Sequence, residues 1–119
     1  MKNYLLDQKE IKNIITLPMG YGLISDRVTV DGLPIGYMYR ENPDNRQDSG
    51  WRFFAGDESE EYLDQENNIS LMNINTIAHY DQSIIPYLEE EIGKAFGKND
   101  SGEFVEEHFE PDMEDEAMD

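Results

Sequence analysis

The sequence predicts an α+β fold: a compact antiparallel β-rich single domain with short helices and a disordered acidic C-terminal tail. Three observations lead to this prediction. The chain has 119 residues, enough for one hydrophobic core but too few for two. Up to residue 55, short apolar segments alternate with glycine-, proline- and asparagine-rich turns, a pattern typical of β-strands. After residue 56 the pattern changes to short helices that begin at capping residues.

The first predicted strands lie between residues 22 and 40. Residues 22–25 form a short apolar segment, and residues 27–30 and 35–40 flank an Asp-Gly step that favours a hairpin turn. Because side chains alternate along a strand, Ile35, Tyr37 and Tyr39 are expected on one face and Met38 and Arg40 on the other. The pattern therefore indicates a β-hairpin.

Two further strands are predicted. Residues 51–55 follow a loop rich in turn residues, and Trp51 and Phe53 are expected to face the same way. Residues 94–96 lie between two glycines and are expected to form the last strand of the sheet.

The predicted helices are short. Asp57 is placed as an N-cap with Glu60 completing a capping box, and the acidic residues of the first turn favour the positive end of the helix dipole. This helix is expected to end near residues 64–67. Brief helices follow around residues 73–79 and from Asp81 onwards, with Pro86 near the first turn of the second of them.

Charge divides the chain unevenly. We assign residues 1–20 to an N-terminal extension, 21–102 to the globular domain and 103–119 to an acidic tail. The tail holds nine acidic residues and no Lys or Arg, which gives it the same net charge of −9 as the rest of the chain. Residues 111–119 are expected to be disordered, because few apolar side chains are present to form a core. Phe104, Val105 and Phe109 are the residues able to anchor the start of the tail.

The net charge of −18 excludes several classes of partner. A nucleic acid or an anionic membrane requires a basic surface, which this composition does not supply. A basic protein partner remains compatible with the charge, although the charge also has the simpler role of keeping the protein in solution. The chain has no cysteine and no apolar segment of signal-peptide or membrane-spanning length, so a cytoplasmic location is expected.

Catalytic and metal-binding patterns are weak. The acidic group at residues 57–64 supplies the oxygen ligands that Ca²⁺ and Mg²⁺ prefer, but it lacks the spacing of a calcium loop, and helix capping explains it adequately. His79 and His108 are the two histidines, and neither has a suitably spaced partner. We therefore expect no catalytic residues, no metal and no cofactor.

Two arginines stand on predicted aromatic strands. Arg40 and Arg52 either form ion pairs and stack on rings within the fold, or belong to a recognition surface with Tyr37, Tyr39 and Trp51. Core packing is the simpler role for Trp51, since a residue of this size is usually buried.

The central segment resembles a known family. Gly-Tyr-Met-Tyr-Arg-Glu at residues 36–41 is followed by Asp-Ser-Gly-Trp-Arg-Phe-Phe at residues 48–54 and Gly-Asp-Glu at residues 56–58. With further matches up to residue 96, these motifs resemble a bacterial family first described as a domain of unknown function and later grouped with the predicted immunity proteins of polymorphic toxin systems, as immunity family 33. The resemblance covers residues 22–96.

The resemblance implies a β-rich bacterial domain that binds and neutralises a toxin, with no established catalytic residues. We accordingly expect a non-catalytic binding protein whose partner is a basic protein such as a toxin domain. The expected partner-binding residues are Arg40, Trp51, Asp57, Glu58, Glu60 and Glu61. An enzyme or small-ligand-binding module and a stand-alone regulatory protein remain the alternatives, and the oligomeric state is left open.

Overall fold

A computed structural model describes residues 4, 13–15 and 19–107. Six strands form one mixed sheet in the order β4-β1-β3-β2-β5-β6. The strands are β1 (Tyr21–Ser25), β2 (Tyr37–Arg40), β3 (Asp48–Phe54), β4 (Ile69–Asn73), β5 (Ala95–Lys98) and β6 (Phe104–Glu107). The helices are α1 (Asp26–Thr29), α2 (Glu60–Leu63) and α3 (Ile74–Tyr80), with a first 3₁₀ helix at Glu66–Asn68 and a second at Gln82–Tyr87. The predicted α+β class, a β-rich domain with short helices, is confirmed.

The sheet departs from the predicted antiparallel arrangement at one pair of strands. β1 runs parallel to β3, whereas every other neighbouring pair of described strands is antiparallel. The two strands are parallel because β2 lies on the side of β3 that faces away from β1. After β1 the chain crosses to β2 and then turns back into β3, which runs antiparallel to β2 and fills the place between β1 and β2.

The predicted strand at residues 27–30 is wrong. These residues belong mainly to α1, and the side chain of Ser25 caps the helix by accepting a hydrogen bond from the main-chain N–H of Arg27 at 3.1 Å. The Asp-Gly step ends the helix instead of forming a hairpin: Gly32 has φ +86° and donates its N–H to the carbonyl of Val28. Burial of Val28 and Thr29 outweighs their preference for strands.

The predicted cap at Asp57 is also wrong. Ser59 caps α2, because its side chain accepts a hydrogen bond from the N–H of Tyr62 at 3.0 Å. Asp57 instead forms an ion pair with Arg27, 30 residues earlier in the chain, with a nitrogen of the guanidinium 2.6 Å from a carboxylate oxygen. The serine and the aspartate are both competent caps, so the choice between them depends on this tertiary ion pair.

The two later helices agree with the sequence. The predicted helix around residues 73–79 is α3, capped by the side chain of Asn73. Asp81 caps the second 3₁₀ helix by accepting hydrogen bonds from the N–H and hydroxyl of Ser83. Pro86 lies in the second and last turn of that helix, so the predicted position near the first turn is wrong.

Both predicted terminal segments contain residues that belong to the fold. Tyr4 donates or accepts a hydrogen bond with Ser70 at 2.8 Å, and Ile14 donates its N–H to Asn75 at 2.7 Å. β6 extends the sheet beyond residue 102 and beyond the expected last strand, with Phe104 buried against the core as an anchor. The disorder predicted for residues 111–119 and the anchoring by Phe109 lie outside the described residues.

The two faces of the sheet differ in what covers them. The core face carries Ile24, Met38, Trp51 and Phe53, all fully buried, and α3 and the second 3₁₀ helix pack against it. The opposite face, called here the open face, carries the alternate residues of the same strands. Register places the following side chains on it: Leu23, Tyr37, Tyr39, Arg52, Phe54, Leu71, Ala95, Val105 and Glu107.

Candidate functional site

Three aromatic rings form a group on the open face. Tyr37 and Tyr39 lie on β2, and Phe54 lies opposite Tyr37 on β3. The Tyr39 ring is 5.9 Å from that of Phe54 and nearly parallel to it, and the Tyr37 ring is 5.9 Å from that of Tyr39 at an angle of 45°. All three side chains are half-buried, so one side of the group remains accessible to a partner.

This aromatic group lines a pocket with a volume of about 440 Å³. Glycines shape its walls because they leave the main chain uncovered, and Leu63 of α2 borders it. The pocket is lined by Gly36, Tyr37, Tyr39, Phe54, Gly56, Glu58, Leu63, Gly97, Lys98 and Glu107. We call this set the aromatic pocket.

One carboxylate of the aromatic pocket is held by the main chain. The two side-chain oxygens of Glu58 accept hydrogen bonds from the N–H groups of Ala55 and Gly56, at 2.8 and 2.9 Å. Each carboxylate oxygen has a second lone pair, so these contacts orient Glu58 without using up its capacity to accept.

The second carboxylate depends on a glycine. Gly97 lies opposite Tyr37 on β5, and the Glu107 carboxylate occupies the space where a Cβ of residue 97 would stand. Any other residue at position 97 would displace Glu107. The strand register therefore places a carboxylate over β5, next to the Tyr37 ring.

The tyrosines of the aromatic pocket have raised pKa values. Burial raises the pKa of Tyr37, and the negative charge of Glu107 raises it further. Burial also raises the pKa of Tyr39, with a further contribution from Glu41. Both phenols therefore stay protonated at neutral pH and keep their hydroxyl groups as donors.

Next to the aromatic pocket on the open face lies a buried ion-pair network. The Arg52 side chain is 2% exposed and donates to both oxygens of Asp48, at 2.8 and 2.9 Å, and to Glu41 at 2.5 Å. Burial alone would lower the pKa of Arg52, but the hydrogen bonds to the two carboxylates outweigh it and raise the pKa. The same bonds hold the pKa of Asp48 well below its usual range. Arg52 is therefore a structural residue.

The structure places Trp51 on the core face. Its side chain is fully buried, it stacks on Phe53 with ring centroids 5.9 Å apart, and its Nε1–H donates to the carbonyl of Leu88 at 2.9 Å. The predicted partner-binding residue is thus inaccessible to a partner, and the simpler prediction of core packing describes it.

Arg40 is also turned towards the core face. It donates to the carbonyls of Ser49 at 2.9 Å and Glu90 at 2.8 Å, and its guanidinium carbon lies 5.8 Å from the centre of the Trp51 ring. Desolvation lowers its pKa. These contacts hold a loop against the sheet. Of the two roles predicted for Arg40, they support the structural one. It also borders a second cavity of about 530 Å³, together with Arg46.

The four predicted acidic residues have different environments. Arg27 binds the carboxylate of Asp57, and the resulting hydrogen bonds lower the pKa of Asp57. Glu58 belongs to the aromatic pocket. Glu60 and Glu61 are exposed on α2, the same short helix that carries Leu63 to the pocket. The acidic surface therefore adjoins the aromatic pocket, but Arg40 and Trp51 do not flank it.

Sequence reasoning missed most residues of the aromatic pocket, including Phe54, Leu63 and Glu107. Phe54 could have been found, because the predicted alternation on its strand puts it opposite to Phe53. Leu63 and Glu107 could not, since one comes from a helix with no clear apolar face and the other from the segment assigned to the tail. Only the pairing of β5 with β6 brings Glu107 beside Tyr37.

The described residues contain neither a helix that could span a membrane nor a group of side chains that could hold a metal ion. Within residues 4, 13–15 and 19–107, no helix has both the length and the hydropathy needed to span a bilayer. The same residues contain no group of three or more His, Asp or Glu side chains arranged to hold a metal ion.

Comparison with known proteins identifies the family. Searches of curated proteins and of solved structures found no match. The family model of the Immunity protein Imm33 domain matches residues 22–108, which is most of the chain and includes every strand except the first residue of β1. It also includes the whole aromatic pocket. The chain therefore belongs to the Imm33 family of immunity protein domains.

Proposed function

We propose that this protein is a non-catalytic immunity protein that neutralises a toxin by binding it, with the open face as the contact surface. Membership of the Imm33 family supports the general role. The observation that carries the choice of surface is the aromatic pocket: half-buried aromatic rings on the face opposite to the helices of the core.

The composition of the open face suits a protein partner. Tyrosine and other aromatic residues are enriched at the energetic centres of interfaces, because they bury a large area with few rotatable bonds. Apolar side chains continue the surface on either side, with Leu71 65% exposed on β4 and Val105 48% exposed on β6. The core face offers no such surface, since its aromatic residues are buried.

Charge favours a basic partner. The net charge of −18 would speed the approach of a basic toxin domain and would repel nucleic acid and anionic lipid, which fits an expected cytoplasmic site of action. Glu60 and Glu61 of α2 provide acidic groups at one border of the aromatic pocket. We retain Asp57, Glu58, Glu60 and Glu61 as the acidic side of the proposed surface and omit Arg40 and Trp51.

The proposal is tested by affinity capture from a lysate of the native cells at low and moderate salt, followed by identification of bound proteins and a growth-protection assay with the captured toxin. We expect a basic toxin domain that binds more weakly at moderate salt, and cells that survive its expression only when this protein is co-expressed. Absence of any partner at both salt concentrations, or a captured protein whose toxicity is unaffected, would contradict the proposal.

Matched variants then locate the surface. Tyr37→Ala removes a ring of the aromatic pocket and should weaken binding about tenfold or more, as expected for an interface anchor. Ile92→Ala removes an apolar side chain that is 47% exposed, lies outside the strands of the sheet and does not line the aromatic pocket, so it should bind like the wild type. Equal affinities for the two variants would exclude the aromatic pocket from the interface.

A second candidate function is the binding of a small ligand in the aromatic pocket. Its volume of about 440 Å³ lies within the range typical of ligand sites, and it combines aromatic walls with two carboxylates. A metabolite screen by thermal shift tests this candidate: a ligand that raises the Tm of the wild type but not of Tyr37→Ala would support it.

A further inference from the structure

We propose that the aromatic pocket binds an arginine side chain of the partner protein, stacked on the Tyr39 and Phe54 rings and bound by the carboxylates of Glu58 and Glu107. This inference rests on the proposed function, because it specifies what the open face recognises. It concerns one side chain of the partner and is testable without the toxin.

The first argument is the uncompensated charge of the aromatic pocket. Among the described residues, no hydrogen bond or ion pair holds the carboxylate of Glu107, and the carboxylate of Glu58 accepts hydrogen bonds only from main-chain N–H groups. Among the described residues that line the pocket, the cationic one is Lys98, whose ammonium group is bound to Asp81 at 2.7 Å. Within the part of the chain that the structure describes, two carboxylates therefore face the pocket and no cationic side chain is bound to them.

The second argument is the presence of ring faces beside those charges. The Tyr39 and Phe54 rings are stacked within 11° of parallel, and Tyr37 stands next to them. An aromatic face attracts a cation through its quadrupole, and the attraction grows where water is partly excluded. A pocket with rings on one side and carboxylates on the others is complementary to a cationic side chain with a flat shape.

Arginine meets these requirements better than lysine. Its guanidinium is planar, stacks on aromatic rings and donates two parallel hydrogen bonds to a carboxylate, whereas an ammonium group is a compact charge that is more strongly hydrated. Glu58 is already oriented by two main-chain contacts, so little conformational entropy would be lost when it accepts further hydrogen bonds.

Local charge complementarity must be separated from the general attraction of an acidic protein for cations. Glu107→Gln removes one charge within the aromatic pocket, and Glu91→Gln removes one from an exposed position that does not line it. Gly97→Ala provides a variant of unchanged charge, because the added methyl group would displace the Glu107 carboxylate. The displaced group is the end of a flexible side chain, so this variant is expected to fold.

The test is an NMR titration of the full-length, isotope-labelled protein with the blocked pentapeptide Gly-Gly-Arg-Gly-Gly, alongside the same peptide with lysine or citrulline. Citrulline keeps the shape of arginine but carries no charge. We expect the arginine peptide to shift the signals of Tyr37, Tyr39 and Phe54 saturably, the lysine peptide to bind more weakly, and the citrulline peptide to cause no shift. Glu107→Gln and Gly97→Ala should weaken binding about fivefold, and Glu91→Gln should leave it unchanged.

Several results would overturn the inference. These are shifts spread over all acidic segments, an equal loss of affinity in Glu107→Gln and Glu91→Gln, equal binding of the arginine and lysine peptides, or no saturable shift. Failure of the proposed function would appear differently, as the absence of a captured toxin or of growth protection. If a toxin is captured and neutralised while the arginine peptide does not bind the aromatic pocket, the arginine inference alone is wrong.

Discussion

The two faces of the sheet use similar residues for different purposes. On the core face, Trp51 and Phe53 are fully buried under α3 and the second 3₁₀ helix. On the open face, one residue further along the same strand, Phe54 is half-buried in the aromatic pocket beside Tyr39. One set of aromatic residues therefore stabilises the core, and another remains accessible to a partner.

A similar contrast holds for the two arginines of β2 and β3. Arg40, on the core side, is held by main-chain carbonyls, whereas Arg52, on the open side, is held by the carboxylates of Asp48 and Glu41. Both are held by partners within the fold. Residue type alone thus does not identify the contact surface; the face of the sheet and the partners of each side chain do.

The sharpest test of this comparison substitutes two neighbouring phenylalanines. Phe53→Ala should lower the free energy of unfolding by about 3–5 kcal/mol, because it opens a cavity in the core. Phe54→Ala should lower it by only about 1 kcal/mol, since a half-buried ring contributes a fraction of the transfer free energy. Urea denaturation followed by circular dichroism measures both values. Equal losses would show that the two faces are not distinct.

The next largest effect is expected at the buried ion pair. Asp48→Asn leaves the Arg52 guanidinium without its bidentate partner and should destabilise the protein by about 3 kcal/mol. The matched control is Asp31→Asn, which removes a partner of the exposed Arg27 and should change the free energy of unfolding by less than about 1 kcal/mol. Denaturation of both variants checks the difference, and a small loss for Asp48→Asn would mean that water replaces the carboxylate.

The same pair predicts a dependence on pH. The folded-state pKa of Asp48 lies below its ordinary value of 3.8, so its stabilising contribution is complete above that value and is lost as the pH falls through the folded-state pKa. The difference in stability between the wild type and Asp48→Asn should therefore be constant near neutral pH and shrink below about pH 4. A constant difference down to pH 2 would contradict the assignment of this stabilisation to the ionised carboxylate.

The smallest effect is expected for Asp57→Asn. Its ion pair with Arg27 is exposed, and solvent screens it. This substitution should hardly change Tm, yet it should weaken capture of a basic toxin at low salt if Asp57 belongs to the acidic side of the proposed surface. Thermal unfolding and the capture assay, with Asp31→Asn as the variant of equal charge, separate the two effects.

Local signals predicted much of the fold and part of the site. Asn73 and Asp81 cap helices where the sequence expects them, because capping needs only neighbouring atoms. Residues 27–30 were misassigned because burial of Val28 overrides strand propensity. In the aromatic pocket, alternation along β2 predicted that Tyr37 and Tyr39 share a face, but it could not say which face the helices would cover.

The sequence by itself determined the α+β class, the two later capped helices, the excess of negative charge and the resemblance to the immunity family, since each depends on composition or on residues close together in the chain. Tertiary structure alone decided that β1 pairs with β3 in parallel, that Trp51 is buried, and that Glu107 reaches Tyr37 across Gly97. These features join distant segments. They depend on which strands pair and in what register, and those choices are made by burial of the whole core and by no local pattern.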